Sequence, residues 1–199
     1  METYDLALAT KNLYDSGLVL FPLKTLRDII DLPKESTFFS LVKRLIKRGV
    51  LEKIEKDKYK LKSSGVSFFT IANFIYQPSY ISFETALNFW GILSQFPYEI
   101  TSATSKKTAS KIVDEKVYSY IHINKKLFWG YEKKEDFLMA LPEKALLDQI
   151  YLATKGIKSL SLEEYNLEKV NKTLVRDYIK MYPQTRQFNA GIKDLKKLL

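Results

Sequence analysis

Hydrophobic residues recur at helical spacing in three successive segments near the amino terminus. The first segment covers residues 3–16, and Ser16–Gly17 follows it as a helix-ending signal. After a short apolar run, a second helix begins near Pro22 and ends at Asp31–Pro33. The third segment spans Lys34–Arg48, before Gly49. The pattern therefore predicts three helices within the first fifty residues.

The third predicted helix has two different faces. Its apolar residues, from Phe38 to Ile46, fill one side at about 100° per residue. The other side carries Ser36, Thr37, Ser40, Lys43, Arg44, Lys47 and Arg48. Hydroxyl groups come first, long cations follow, and no acidic residue occurs between Ser36 and Val50. That order suits a helix whose first turns enter a DNA groove while its later cations contact phosphates.

Residues 50–61 follow the third helix and alternate like two short strands. Val50 and Ile54 are expected to share one face, and Lys56–Asp57 supplies the turn. Residues 34–62 hold ten Lys and Arg against four Asp and Glu. Three helices followed by a basic hairpin predict a winged helix-turn-helix domain over residues 1–62.

We therefore predict a double-stranded DNA contact in this domain. Ser36, Thr37 and Ser40 are expected nearest to base edges. The expected contacts to phosphates or to a guanine edge come from Lys43, Arg44, Lys47 and Arg48. Lys34 belongs to the same predicted DNA-binding set. Lys56 and Lys58, at the wing tip, would reach the neighbouring backbone or minor groove. Two alternatives stay open: the cations are simply the hydrated face of an amphipathic helix, or the domain binds protein instead.

The remaining residues predict a second domain over 66–199, after a polar linker at Lys62–Gly65. A helix begins at Ser82, and three stretches of period two predict strands: "YEITSAT", "VYSYIHI" and "KLFWGYEK". The first two flank a polar loop, "SKKTASKIVDEK", in which Lys106, Lys107 and Lys111 are either hydrated or a second phosphate contact. Another helix begins at Pro142, and two more close the chain. The fold class is thus α+β, with a small antiparallel sheet and closing helices.

Composition narrows the function. The 199 residues carry a net charge of +9, which suggests a polyanionic partner. The absence of cysteine excludes disulfides and thiolate metal sites, and a single histidine makes histidine-based catalysis a poor candidate. No signal-peptide pattern or membrane-spanning apolar run occurs, so we expect a cytoplasmic protein with no membrane contact. No motif calls for a cofactor or a metal.

Three segments carry a family resemblance: "PSYISFETALNFWGI", "ITSATSKK" and "MALPEKALLDQIYL", in this order after the predicted winged helix. From about Phe21 to Leu152, the chain resembles the AbiEi family, transcriptional regulators that act as antitoxins of type IV toxin–antitoxin and abortive-infection systems. The resemblance implies binding to repeats in the chain's own promoter, repression of its operon, and antitoxicity carried by the second domain. It also implies a nucleotidyltransferase-like toxin as functional partner, not necessarily in a stable complex. Inverted repeats would place two copies on DNA.

The residues of these segments have mainly structural interpretations. Pro142 and Glu143 start a helix, and the leucines after them pack. Asp148 is expected to cap or to pair with Lys144, four residues earlier. Tyr80 and Glu84 are expected to form a local hydrogen bond.

Two other function classes compete with the repressor. A metal-dependent nuclease would need clustered carboxylates, for which Asp114, Glu115, Glu143 and Asp148 qualify only by residue type. A protein-binding adaptor would use the aromatic residues Phe128, Trp129 and Tyr131, although core packing suits them better. We therefore predict a DNA-binding protein and not an enzyme.

Overall fold

The computed structural model describes residues 5–198, which form eight α-helices and two sheets. The predicted α+β class is confirmed. The chain divides into two compact units, Met1–Ser67 and Phe68–Leu199, which we call unit 1 and unit 2. This division falls just beyond the predicted linker.

Unit 1 contains three helices and a three-stranded antiparallel sheet. Its elements are α1 (Leu6–Asp15), β1 (Leu20–Pro22), α2 (Leu23–Ile30), α3 (Glu35–Lys47), β2 (Leu51–Glu55) and β3 (Lys58–Leu61). The sheet order is β1-β3-β2, and Phe21 of β1 lies opposite Tyr59 of β3. The sequence did not predict β1. Residues 3 and 4 of the predicted first helix lie outside the described residues.

Local signals set the bounds of these helices. The Asp5 side chain caps α1 by accepting a hydrogen bond from the Ala7 amide at 2.8 Å. Gly49, at φ +72°, turns the chain immediately after α3, where a residue with a side chain would be strained. One core of fully buried side chains joins all three helices to the sheet, including Leu13, Leu26 and Leu45.

The hairpin of unit 1 differs from its prediction in one respect. A bulge between Lys53 and Glu55 shifts the strand register. Leu51 and Ile54 therefore both face the core, whereas Val50 is only half-buried. Val50, which precedes β2, still packs against the core of unit 1.

Unit 2 is built around a six-stranded sheet. Its strands are β4 (Ser79–Ile81), β5 (Ile100–Thr104), β6 (Ala109–Val113), β7 (Lys116–His122), β8 (Tyr131–Lys134) and β9 (Phe137–Ala140). They lie in the order β6-β7-β5-β4-β9-β8. Its helices are α4 (Phe68–Ile75), α5 (Phe83–Phe89), α6 (Pro142–Ala153), α7 (Lys172–Ile179) and α8 (Arg186–Leu198). The pairs β5–β7 and β4–β9 are parallel, so the expected small antiparallel sheet is in fact larger and mixed.

Two segments of unit 2 were misassigned from the sequence. The predicted polar loop forms β6, which pairs with β7 through a tight turn at Asp114–Glu115. The "KLFWGYEK" stretch begins as a short 3-10 helix, Lys125–Leu127, and becomes a strand only at Tyr131. Among the described residues, no helix is long and apolar enough to cross a membrane.

Candidate nucleic-acid interface

The predicted DNA-contact residues of α3 share its exposed face. Phe38, Leu41, Val42 and Leu45 are buried on the opposite face. Exposed along the helix and at its two caps are Lys34, Ser36, Ser40, Lys43, Arg44, Lys47 and Arg48, whereas Thr37 is half-buried. At about 1.5 Å per residue, this row extends over roughly 20 Å. The structure thus brings the predicted set together on one surface.

The cations of this row have no ion-pair partner in the part of the chain that the structure describes. Within residues 5–198, none of Lys43, Arg44, Lys47 or Arg48 forms an ion pair. The one acidic residue of α3, Glu35, pairs with Arg27 at 2.6 Å. The Arg27 guanidinium in turn lies 4.7 Å from the centre of the Phe38 ring, which ties α2 to the start of α3. Glu35 is exposed at the start of α3, but no acidic residue follows it as far as Arg48, so the row from Ser36 to Arg48 carries only positive charge.

Two of the exposed cations of α3 also have a structural explanation. Arg44 and Lys47 lie in the last turn of α3, where cations interact favourably with the helix dipole. That interaction contributes at most about 1 kcal/mol at an exposed site, and it does not require a continuous row.

The hairpin next to α3 is held in place by the fold. The Leu23 amide donates to the Asp57 carbonyl at 2.8 Å, so the hairpin turn is tied to the start of α2. Lys60 of β3 pairs with Glu52 of β2 at 3.4 Å. Lys56 is exposed in the turn, as predicted, whereas Lys58 is half-buried at the start of β3.

The three lysines predicted as a second contact do not lie together in one loop. Lys106 and Lys107 are exposed in the turn between β5 and β6. Lys111 lies within β6, half-buried and opposite Tyr118 of β7. The structure adds two residues that sequence reasoning missed: His122, whose Nδ1 is 2.8 Å from the Lys106 carbonyl, and Tyr76, whose hydroxyl donates to the Lys107 carbonyl at 2.7 Å.

The "PEKALLD" segment forms a buried polar network in unit 2. The Lys144 ammonium donates to Asp148 Oδ1, and both side chains are fully buried, so the predicted pair is confirmed. The Tyr182 hydroxyl donates to the same oxygen at 2.8 Å. Tyr80 and Ser82 each donate to Asp148 Oδ2 at 3.0 Å. The carboxylate is therefore saturated by internal donors.

Burial controls the ionisation of this network. Desolvation lowers the pKa of Lys144, and the Asp148 charge opposes that shift. Desolvation, followed by the Asp148 charge, raises the pKa of both Tyr80 and Tyr182 well above the ordinary value. The expected Tyr80–Glu84 hydrogen bond was wrong, because Glu84 accepts from Gln149 at 3.0 Å and from Lys158 at 2.8 Å.

The carboxylates that a nuclease would need have structural roles or lie in a turn. Glu143 accepts a hydrogen bond from the Asn171 amide at 2.8 Å, while Asp114 and Glu115 form the β6–β7 turn. No group of three or more His, Cys, Asp or Glu side chains in the described part of the chain could hold a metal ion.

The aromatic residues considered for an adaptor pack within unit 2. Phe128 and Tyr131 lie against Tyr80, with ring centres 5.1 Å and 4.6 Å away. The ring centre of Trp129 lies 4.9 Å from that of Tyr178. All three candidates are half-buried.

Comparison of the chain with protein-family models and with curated proteins finds no match. The resemblance to the AbiEi family therefore stays a prediction, and the case for function rests on geometry and charge.

Proposed function

We propose that this chain is a DNA-binding transcriptional repressor whose unit 1 is a winged helix-turn-helix. In this proposal α2 and α3 form the helix-turn-helix and the β2–β3 hairpin is the wing. One observation carries the proposal: the exposed cations from Lys43 to Arg48, none of which forms an ion pair within residues 5–198.

The dimensions of α3 suit a DNA groove. An α-helix with side chains is about 10–12 Å wide, and the major groove of B-DNA is about 12 Å wide. With the first turns of α3 in the groove, the hydroxyls of Ser36, Thr37 and Ser40 would lie nearest to base edges. The later cations would then meet phosphates, and Lys56 and Lys58 would contact the backbone or minor groove beside the main site.

The biological role rests on the AbiEi resemblance. We infer that the chain binds repeats in its own promoter, with two copies on an inverted repeat, and represses its operon. Unit 2 would act as an antitoxin against a nucleotidyltransferase-like toxin, with or without direct contact. The proposed protein is cytoplasmic, requires no cofactor and catalyses no reaction.

A reporter gene fused to the DNA upstream of the chain's own gene tests the repressor in cells. Expression of the chain should lower reporter output, while an unrelated promoter should be unaffected. Equal reporter output with and without the chain would remove the repressor role.

Co-expression with the product of the neighbouring gene tests the antitoxin role separately. Restored growth, retained by a chain that no longer binds DNA, would assign antitoxicity to unit 2. If that neighbouring product is not toxic, or if the chain fails to relieve its toxicity, the antitoxin assignment fails.

A further inference from the structure

Three separate segments of unit 2 meet near the carboxyl ends of β5 and β7. They are Tyr76, which follows α4, the turn at residues 105–108, and His122 at the end of β7. Thr104 pairs with His122 in the parallel strands, which places the turn at residues 105–108 beside His122. Together they line an open cleft of about 720 Å³.

The turn in this cleft is held by side-chain hydrogen bonds from its neighbours. Tyr76 donates to the Lys107 carbonyl, and Thr108 Oγ1 accepts from the His122 amide at 3.1 Å. Thr104 Oγ1 accepts from the Lys106 amide at 3.1 Å and donates to the Pro78 carbonyl at 2.7 Å. The backbone of Lys106 and Lys107 is therefore fixed before any ligand arrives, which reduces the entropic cost of binding.

Two lysines, Lys106 and Lys107, line the cleft. Lys106 and Lys107 are exposed, and neither forms an ion pair with another residue in the range 5–198. A carbonyl oxygen only accepts, so Nδ1 of His122 must carry the proton that binds the Lys106 carbonyl. His122 therefore helps to hold the turn, and no carboxylate is among the described residues that line the cleft.

We propose that this cleft binds a phosphate group. The two ammonium groups would neutralise the anion, while the Thr108 hydroxyl would donate a further hydrogen bond to it. The phosphate could belong to a free nucleotide or to a DNA backbone, which share this chemistry. Lys111, half-buried within β6, is not part of the site. The proposal does not depend on DNA binding by α3.

Calorimetric titration of the full chain with ATP and with inorganic pyrophosphate tests the free-phosphate source. Fluorescence anisotropy with a short duplex over a salt series tests the DNA source. The test variant is Lys106→Ala with Lys107→Ala. The matched control is Lys169→Ala with Lys172→Ala, which removes the same charge from exposed positions elsewhere in unit 2.

Either of two results supports the site. Binding of ATP or pyrophosphate that weakens about tenfold or more in the test variant, but not in the control, identifies a free-phosphate ligand. A salt slope for the duplex that falls by about 2 only in the test variant identifies a DNA phosphate contact. Equal behaviour of the test and control variants with all three ligands would overturn the proposal.

Tyr76→Phe examines the preorganisation of the turn, because it keeps the ring and removes the hydrogen bond to Lys107. We expect affinity for the phosphate ligand to fall about fivefold, less than in the lysine variant. Unchanged affinity would show that the turn is not held for binding by Tyr76.

Discussion

Helix α3 of unit 1 and the Lys144–Asp148 pair of unit 2 use cations in opposite ways. In unit 1, four cations lie along the exposed face of α3 with no counter-charge among the described residues. In unit 2, Lys144 is fully buried and binds the Asp148 carboxylate, which also accepts from three hydroxyl groups. A hydrated surface cation needs no partner within the fold, whereas a buried one requires it. The contrast suggests that α3 holds its charge for a ligand and that the Lys144–Asp148 pair organises the fold.

The largest effect should come from breaking the buried pair. Asp148→Ala would leave Lys144 without a counter-ion and three buried hydroxyls without their acceptor, so we expect a loss of about 3–5 kcal/mol in the free energy of unfolding. Urea unfolding of the full chain measures this. Asp194→Ala is the control, because it breaks the exposed pair with Lys197 and should have no measurable effect. Equal stability of the two variants would contradict a structural role for the buried pair.

The complementary test removes charge from α3. Arg44→Ala with Lys47→Ala should weaken DNA binding by about 3 kcal/mol at low salt, because two charge-assisted contacts are lost. The salt slope should fall by about 2, and stability should change little. Anisotropy titration provides both values. Unchanged affinity at low salt would show that these cations are only a hydrated helix face.

Alkaline pH tests the buried tyrosines of unit 2. The pKa values of Tyr80 and Tyr182 are raised by burial, and burial raises that of Tyr118 to about 12. Above about pH 10 the unfolded chain loses these protons first, so the free energy of unfolding should decrease as the pH rises. The pKa of Lys144 is lowered, so up to its ordinary value of 10.5 this group makes the free energy of unfolding increase with pH. Unfolding should therefore be measured above pH 10.5.

Tyrosinate absorbance, followed together with circular dichroism, checks this expectation. A group of tyrosines should ionise only as structure is lost. Ionisation of every tyrosine near pH 10 in a chain that stays folded would contradict the account.

The smallest effect concerns base recognition. Ser40→Ala removes an exposed hydroxyl and should lower discrimination between the operator and a single-base variant by about 1 kcal/mol, without altering the salt slope. Ser110→Ala, on the exposed side of β6, is the control. Equal discrimination by the wild type and Ser40→Ala would remove Ser40 from the base-reading set.

Local signals made α3 predictable. The predicted range Lys34–Arg48 differs from the observed helix by one residue at each end, and those two residues are its caps. The apolar and polar faces of the helix and the glycine that follows it were sufficient to locate α3, because these signals lie within the helix or directly after it.

Long-range pairing explains what the sequence did not reveal. Strand β1 is only three residues long, and Leu20 pairs with Lys60, which lies far along the chain. The edge strand β6 is polar enough to resemble a loop. The contacts of Asp148 with Tyr80 and Tyr182, and of His122 with the Lys106 turn, likewise depend on tertiary packing.

The central claim is that the cation row of α3 binds DNA, and one titration tests it most directly. The full chain is titrated against labelled DNA from upstream of its own gene, with unrelated competitor DNA, over a salt series. We expect specific binding for which the logarithm of the binding constant falls linearly with the logarithm of salt concentration, and the slope should correspond to several phosphate contacts. No preference for that DNA over the competitor, or an affinity independent of salt, would contradict it.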